Sequence, residues 1–474
     1  MSVQNTNAKY SEMLPVWIEM DDVCDGERKV KQKSVAYLPM ICACDDAEEN
    51  RFYYDSYLKR AVFYPIAKDT LNNNIGLAFS EDPSFDDDGL EFLRDDADGA
   101  GTSLFQQNQI ALGYQLKYGR AGFFVDYPQV EGGVSKSDVA QKGIRPTVIL
   151  YSAKNIINWR VRKVKGVFKT SLVVLLEEST QQDPNDEFKD LPVKTYRVLR
   201  LDEQDKYSIQ VYTDMDGNLE AGDIQYPRNA KGSLWDKIPF ILVGSQSNDF
   251  EFDHIPIEPI VSVNLAHYRN SAEYEQSLFY AGQVQPVITE LDTHDIELMT
   301  RPNEHGVIER KITLGSYAPL LLPVGANFQY VQAQESSIAK EGMKEKLGYM
   351  QLLGAKITES NEVAKTATQS DNEQMTKHSV LSLCVSNLNE AMENVLTWVA
   401  EYHGSGYDAK FTIKQDFAKG KLGLDWLKLF ESLVVSGLMS HETFWQILTT
   451  GKIPEIVFKD EVLRLEMQKL GITE

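Results

Sequence analysis

Seven apolar positions, Leu381, Cys384, Leu388, Ala391, Val395, Trp398 and Tyr402, follow one another at an unbroken alternating spacing of three and four. No strand keeps that period, so the segment is a long helix packed along one seam. Leu381, Leu388, Val395 and Trp398 are its main seam residues. Ser370-Asp-Asn-Glu373 has the pattern of a capping box and places the helix start there, with the end near His403. Two further helical stretches precede it. Val261, Leu265, Tyr268 and Ala272 share one stripe of Glu258–Gly282, and Ala339, Met343, Leu347, Met350 and Leu353 share one of Ser337–Leu353. The first would be about 37 Å long at ~1.5 Å per residue. Between them, Gln283–Gln332 carries Pro286, Pro302, Pro319 and Pro323 and reads as non-helical.

The N-terminal half has a different texture. Tyr54, Tyr57, Leu58 and Ala61 recur at helical spacing, and Pro65 is suited to open a second helix, so Asn50–Asn74 reads as two helices. Phe52, Tyr53, Tyr54 and Tyr57 form an aromatic cluster expected in a core or at a subunit interface. Glu81–Asp98 holds nine acidic residues and one Arg and reads as a solvated loop. Thr102 is the expected N-cap of a helix that Gly119 stops after Tyr118. Then the period drops to two. Ala121–Tyr127, Thr147–Tyr151, Phe168–Leu176, Tyr196–Leu201 and Tyr207–Tyr212 are short β-branched and aromatic runs, a β-rich block. Asp216-Gly217 marks a hairpin turn within it; no flanking helices or final Glu turn Asp214–Asn218 into a calcium loop.

Thr358–Gln369 is polar and unpatterned, a loop. Lys410–Lys414 reads as a strand, and Leu424 onward as two or three short helices around Gly437 and Pro454. No internal repeat of solenoid period occurs.

Composition narrows the function classes. The chain has 474 residues and 48 Lys and Arg against 70 Asp and Glu, a net charge of −22. Proteins that grip duplex DNA do so by releasing counterions with basic side chains, so this acidic surface argues against simple DNA binding. No run approaches the ~18 apolar residues of a bilayer span, which predicts no membrane segment. Met1–Tyr10 is polar and unlike a secretory signal, so folding in a cytoplasm is the expectation. Cys24, Cys42, Cys44 and Cys384 are too few and too irregular for a disulfide framework and are expected as reduced thiols, Cys384 buried on its helix.

Catalytic signatures are missing. Gly420-Lys421 and Gly451-Lys452 have Gln415 and Gln446 where a phosphate loop needs glycine, His441-Glu442 has Trp445 where a zinc protease needs its second His, and no G-x-S-x-G elbow occurs. The expectation is a non-enzyme with no cofactor and no metal site. His267, beside Asn264 and Ser271 on a polar stripe, reads as a hydrogen-bonded interface residue in preference to a ligand or switch.

Several segments together resemble tailed-bacteriophage portal proteins of the head-tail connector family. They are Asp96-Ala-Asp-Gly-Ala-Gly-Thr-Ser-Leu104, Tyr118-Gly-Arg-Ala-Gly-Phe-Phe-Val-Asp-Tyr-Pro128, Ile157-Asn-Trp-Arg160, Asn264-Leu-Ala-His-Tyr-Arg-Asn-Ser-Ala272 and Glu362-Val-Ala-Lys-Thr-Ala-Thr368. Each is weak alone; order and spacing make the match. The resemblance implies an α+β portal-type fold. Its parts would be a β-rich wing over residues 1–257, stem helices at 258–282 and 335–357, a small α/β clip at 283–334, a tunnel loop at 358–370, a long wing helix and strand at 371–422, and an α-helical C-terminal crown at 423–474.

It further implies a ring of twelve at one capsid vertex, through which double-stranded DNA enters and leaves. The implied partners are the terminase large subunit, the head-tail adaptor, and the major capsid and scaffolding proteins, with assembly in a host bacterial cytoplasm. Glu359, Asn361, Lys365, Thr366 and Gln369 of the tunnel loop and Lys340, Lys344 and Lys346 of the stem would face DNA. Lys356 belongs with these cations, whose other reading is ordinary helix surface or pairing with Glu341 and Glu345. Val261, Leu265, Tyr268, Met343, Leu347 and Met350 would form the subunit interface. Twelve copies of an acidic chain would line the pore with negative charge, which keeps DNA mobile. A different head-tail structural protein, such as an adaptor or tail component, and a carboxylate-based glycoside hydrolase are the alternatives.

Overall fold

The computed structural model describes residues 2–40, 47–128, 144–164, 166–183, 186–215, 217–300, 325–332, 337–358, 379–415, 424–450 and 458–469. In chain order the elements are α1 (Ala8–Asp25), α2 (Glu27–Gln32), α3 (Ala47–Arg60), α4 (Ile66–Ala78), β1 (Ser84–Asp86), α5 (Phe92–Asp95), α6 (Leu104–Tyr118) and β2 (Arg120–Asp126). Next come β3 (Thr147–Ser152), β4 (Ile156–Val164), β5 (Val167–Asp183), β6 (Asp186–Leu201), β7 (Tyr207–Met215), β8 (Asn218–Ala221) and β9 (Phe240–Gly244). The remainder is α7 (Glu258–Ala281), β10 (Val284–Thr289), α8 (Thr293–Thr300), β11 (Asn327–Gln332), α9 (Ser337–Thr358), α10 (Val380–His403), β12 (Lys410–Thr412), α11 (Leu424–Val435), α12 (His441–Thr450) and α13 (Phe458–Lys469). The fold is therefore mixed α and β.

Two compact units share the chain. The first is made of Met1–Ile18, Thr70–Ile257 and Gly354–Glu474, the second of Glu19–Asp69 and Glu258–Leu353. The chain is interleaved, and Glu19–Asp69, expected with the wing, clusters with the residues expected as stem.

In the first unit a three-stranded antiparallel sheet, ordered β3-β2-β9, meets α6 and α10, which also pack on each other. Arg120–Val125 of β2 are all buried, which is why this strand shows little apolar-polar alternation. Gly122 is required there: a Cβ would come 2.6 Å from the Phe240 ring. The second sheet is a five-stranded antiparallel meander, β4-β5-β6-β7-β8. Its β7–β8 connection falls at the expected Asp216-Gly217 turn, with Gly217 at φ +83° donating its N–H to Asp214 Oδ1 at 2.9 Å. The first five residues of β6, 186–190, are solvent-exposed, Phe188 at 90%.

Three sequence expectations shift here. Ser103, not Thr102, caps α6: its hydroxyl accepts from Gln106 N–H while Gln106 reaches back to the Ser103 N–H. The far end is as expected, with Gly119 at φ +78°. Glu81–Asp98 is not a plain loop. Leu90 and Leu93 are buried, α5 forms, and β1 pairs with β12 across Phe85 and Phe411. The described long helix begins at Val380 with Ser379 as its cap, accepting from Ser382 N–H at 3.1 Å, nine residues beyond Ser370; the expected box itself lies outside the described residues.

Gln283–Gln332, read as non-helical from its prolines, holds β10 paired antiparallel with β11 from Val284↔Gln332 to Thr289↔Asn327, and also a helix, α8, which follows β10. Pro286 is tolerated because a two-stranded ribbon has only edge strands.

Candidate functional site

The helical hairpin α7–α9 of the second unit carries most of the residues singled out from the sequence. Pro259 in the first turn and Glu258 beside it suit a helix start, where N–H groups lack partners and the dipole favours an acid. Val261 and Tyr268 are fully buried and Leu265 nearly so, inside the chain's own fold. Phe63 meets Tyr268 edge-to-face at 5.7 Å, and Arg60 lies 4.1 Å above the Phe279 ring while donating to Gln276 Oε1 at 2.6 and 3.1 Å. Met350 is likewise buried, Met343 is half-buried and Leu347 exposed. Of the six residues expected at a subunit interface, Leu347 is therefore the exposed one.

The polar stripe of α7 is used internally. Asn264, fully buried, accepts from Ala67 N–H and donates to Tyr64 C=O, both at 2.9 Å. Ala67 is in the first turn of α4, so Asn264 serves as a cap supplied from another helix. His267 is packed edge-to-face on Tyr64 at 5.1 Å. Burial, with the Lys346 charge as the lesser cause, holds its pKa below the usual imidazole value. His267 Nδ1, Tyr268 OH and Ser271 Oγ have no partner among the described residues.

Helix α9 runs antiparallel to α7. A Cβ at Gly342 would meet Asn270 Nδ2 at 2.5 Å, so the two helices approach where glycine permits it. Lys340 and Lys344 project into solvent and Lys346 is half-buried. Glu359, Asn361, Lys365, Thr366 and Gln369 lie outside the described residues.

The long-helix seam sits in the first unit. Leu381, Leu388 and Val395 are fully buried and Trp398 nearly so. Polar groups fix its depth. Gln115 Nε2 donates to Gly244 O at 2.8 Å and Cys384 O at 3.1 Å, and Asn387 Nδ2 donates to Gly244 O at 3.0 Å. Burial pushes the Cys384 thiol up to about 12, and the group donates to Ser245 O at 3.6 Å. Ahead of α7, Arg120 anchors the preceding loop: its guanidinium lies 4.5 Å from the Phe252 ring and 5.2 Å from Trp159, and Nη2 donates to Asp249 O at 3.3 Å. Burial lowers its pKa to about 10 against the pull of Asp253, Asp249 and Glu251. Sequence periodicity could not single out these residues, because Gln115 and Asn387 are polar within segments read as helices and Arg120 falls between a segment read as helix and one read as strand.

Among the described residues no group of three His, Cys, Asp or Glu side chains is arranged to hold a metal, and no helix is long and apolar enough to cross a membrane.

Residues 256–403 match a family model described as a domain of unknown function, DUF4055. The match spans α7, the β10–β11 ribbon, α9 and α10. No curated protein matches the chain. Among solved structures, a chain in the neck of an empty GTA particle, computed with C6 symmetry, is 13% identical with TM-score 0.34, over 83% of this chain and 92% of that one. A chain in the neck of a native GTA particle, computed with C12 symmetry, is 12% identical with TM-score 0.37, over 84% and 93%.

Proposed function

We propose that the protein is a portal-type subunit. Copies close head-to-tail into a ring at a capsid vertex, and the ring conducts double-stranded DNA during packaging and ejection. The observation that carries the reading is the hairpin α7–β10/β11–α9, two helices of 24 and 22 residues joined through a small strand-and-helix module. It falls between a β-rich block and a third long helix, in the order the sequence resemblance implies. A net charge of −22 per subunit suits a wall past which DNA slides. Heterologous contacts between identical chains generate rings when the rotation closes.

In this reading the ribbon module, residues 283–334, is the clip that meets terminase and later the head-tail adaptor, and residues 358–370 approach the duplex. Lys340 and Lys344, exposed on α9, are the stem cations placed for transient phosphate contacts. The protein turns over no substrate; the packaging motor supplies the energy.

Electron microscopy of the purified protein tests the proposal directly. Rings with a central channel are expected, and a monomer persisting at micromolar concentration refutes it. A second arm replaces Asn361–Lys365 with Gly and Ser: ring yield should hold while packaged DNA falls in a complementation assay. A full genome packaged at the normal yield removes this segment from the channel.

A further inference from the structure

A groove in the second unit, with a cavity volume of about 480 Å³, is walled on one side by Pro39, Met40 and Tyr57 and on the other by Arg269, Glu273, Gln276 and Tyr280 of α7. Arg269 is held in position, since its Nε donates to Tyr37 O at 3.1 Å, and it lines the groove one helical turn from Glu273. An apolar wall next to a fixed guanidinium fits a segment that carries an aliphatic side chain and a carboxylate on one face.

The protein has such a segment. On α9, Ile338, Glu341, Glu345, Tyr349 and Leu352 fall on one helical stripe, flanking the stripe that contains buried Met350. Ile338 is 80% exposed, Tyr349 50% and Leu352 51%, and both Glu341 and Glu345 are exposed.

Register decides whether the two can meet. Within a subunit, Gly342 lies against Asn270, and the Lys346 charge acts on His267. Position 270 is therefore level with 342, and 267 with 346. Continuing that antiparallel register puts Arg269 level with 343–344 and Glu273–Gln276 level with about 337–340. Rotation about a ring axis parallel to the helices preserves height. A neighbouring copy thus presents Ile338 at the middle of the groove and Glu341 and Glu345 on either side of Arg269.

We propose that this groove receives α9 of the adjacent copy. Ile338 packs on Met40, the wall residue with half its surface exposed, and Glu341 and Glu345 pair with Arg269. The inference rests on the ring reading and names its stem contact.

Two chains test it in a background with Cys42 and Cys44 changed to Ser: one carries Gln276→Cys, the other Ile338→Cys, with different tags, co-expressed and oxidised as the assembled oligomer. A disulfide-linked heterodimer is expected, and Arg269→Glu should raise the concentration for half-assembly at least tenfold. Adding Glu341→Arg and Glu345→Arg to that variant should recover at least fivefold of the loss. An oligomer that forms with no heterodimer band and no charge rescue overturns the groove assignment and leaves the ring standing. Absence of any oligomer overturns both.

Discussion

Truncating Asn264 to alanine removes one side chain and strands two backbone groups. The residue is fully buried, and its amide closes two bonds of 2.9 Å. After Asn264→Ala the Ala67 N–H, a first-turn donor of α4, has no acceptor, and the partly buried Tyr64 C=O loses its donor. A stranded buried donor costs ~1–3 kcal/mol and a lost hydrogen bond ~1 kcal/mol, so the local cost is about 2–4 kcal/mol. At ~1.4 kcal/mol per tenfold, opening at this point becomes roughly 30- to 1,000-fold more frequent. Amide exchange at Ala67, read by mass spectrometry on peptides spanning α4, reports that opening locally and does not require the whole chain to unfold in one step. Asn264→Asp keeps the acceptor toward Ala67 and loses the donor toward Tyr64, and should fall between wild type and alanine. Exchange at Ala67 in Asn264→Ala within threefold of wild type would falsify the capping role.

Gly244 leaves no room for a side chain, because a Cβ would fall well inside contact distance of Ser247 O and the Asp253 carboxylate; Gly244→Ala should abolish soluble expression, whereas Gly348→Ala, with open space around it, should be near neutral. Cys384 should resist a maleimide at pH 8 in the folded protein and label on denaturation; prompt native labelling, mapped to that peptide, contradicts its burial. His267 takes up its proton less readily folded than unfolded, so between its lowered pKa and ~6.5 the unfolded chain binds more protons and stability drops as pH falls. Chemical denaturation from pH 7.5 to 5 should show that loss, and His267→Asn should flatten it; an equal slope in both proteins rejects the assignment. Leu388→Asp buries an unpaired carboxylate on the seam and should prevent folding or assembly, judged by size exclusion; a soluble ring at wild-type yield argues against the seam.

The long periodic elements could be read from the chain because each repeats one rule many times. Leu381 to Tyr402 returns as the buried face of α10, and Glu258–Gly282 as α7 to within a residue. What escaped had a conflicting local signal. Helix α1 contains Pro15, which normally marks a break, and follows a polar stretch. Strand β9 is five residues long and is defined by its partner β2. Leu90 and Leu93 are buried within an acidic run whose composition speaks for solvent. The site was harder still. Asn264 and Gly342 matter through residues about 200 and 70 positions away, Ala67 and Asn270, and no spacing rule reaches that far.

Interleaving imposes a timetable on synthesis. Glu19–Asp69 belongs to a unit whose other half ends at Leu353, so the ribosome must add 353 − 69 = 284 residues before that unit is complete. At ~5–20 residues per second the wait is roughly 14–57 s. Until α7 is finished at Ala281, 281 − 69 = 212 residues into that interval, Tyr54, Tyr57 and Phe63, all buried in the finished protein, have no α7 to cover them. The nascent chain is thus a client for holding chaperones from its first α-helices onward, and a translation pause placed between residues 69 and 258 should lower yield more than one placed after 353.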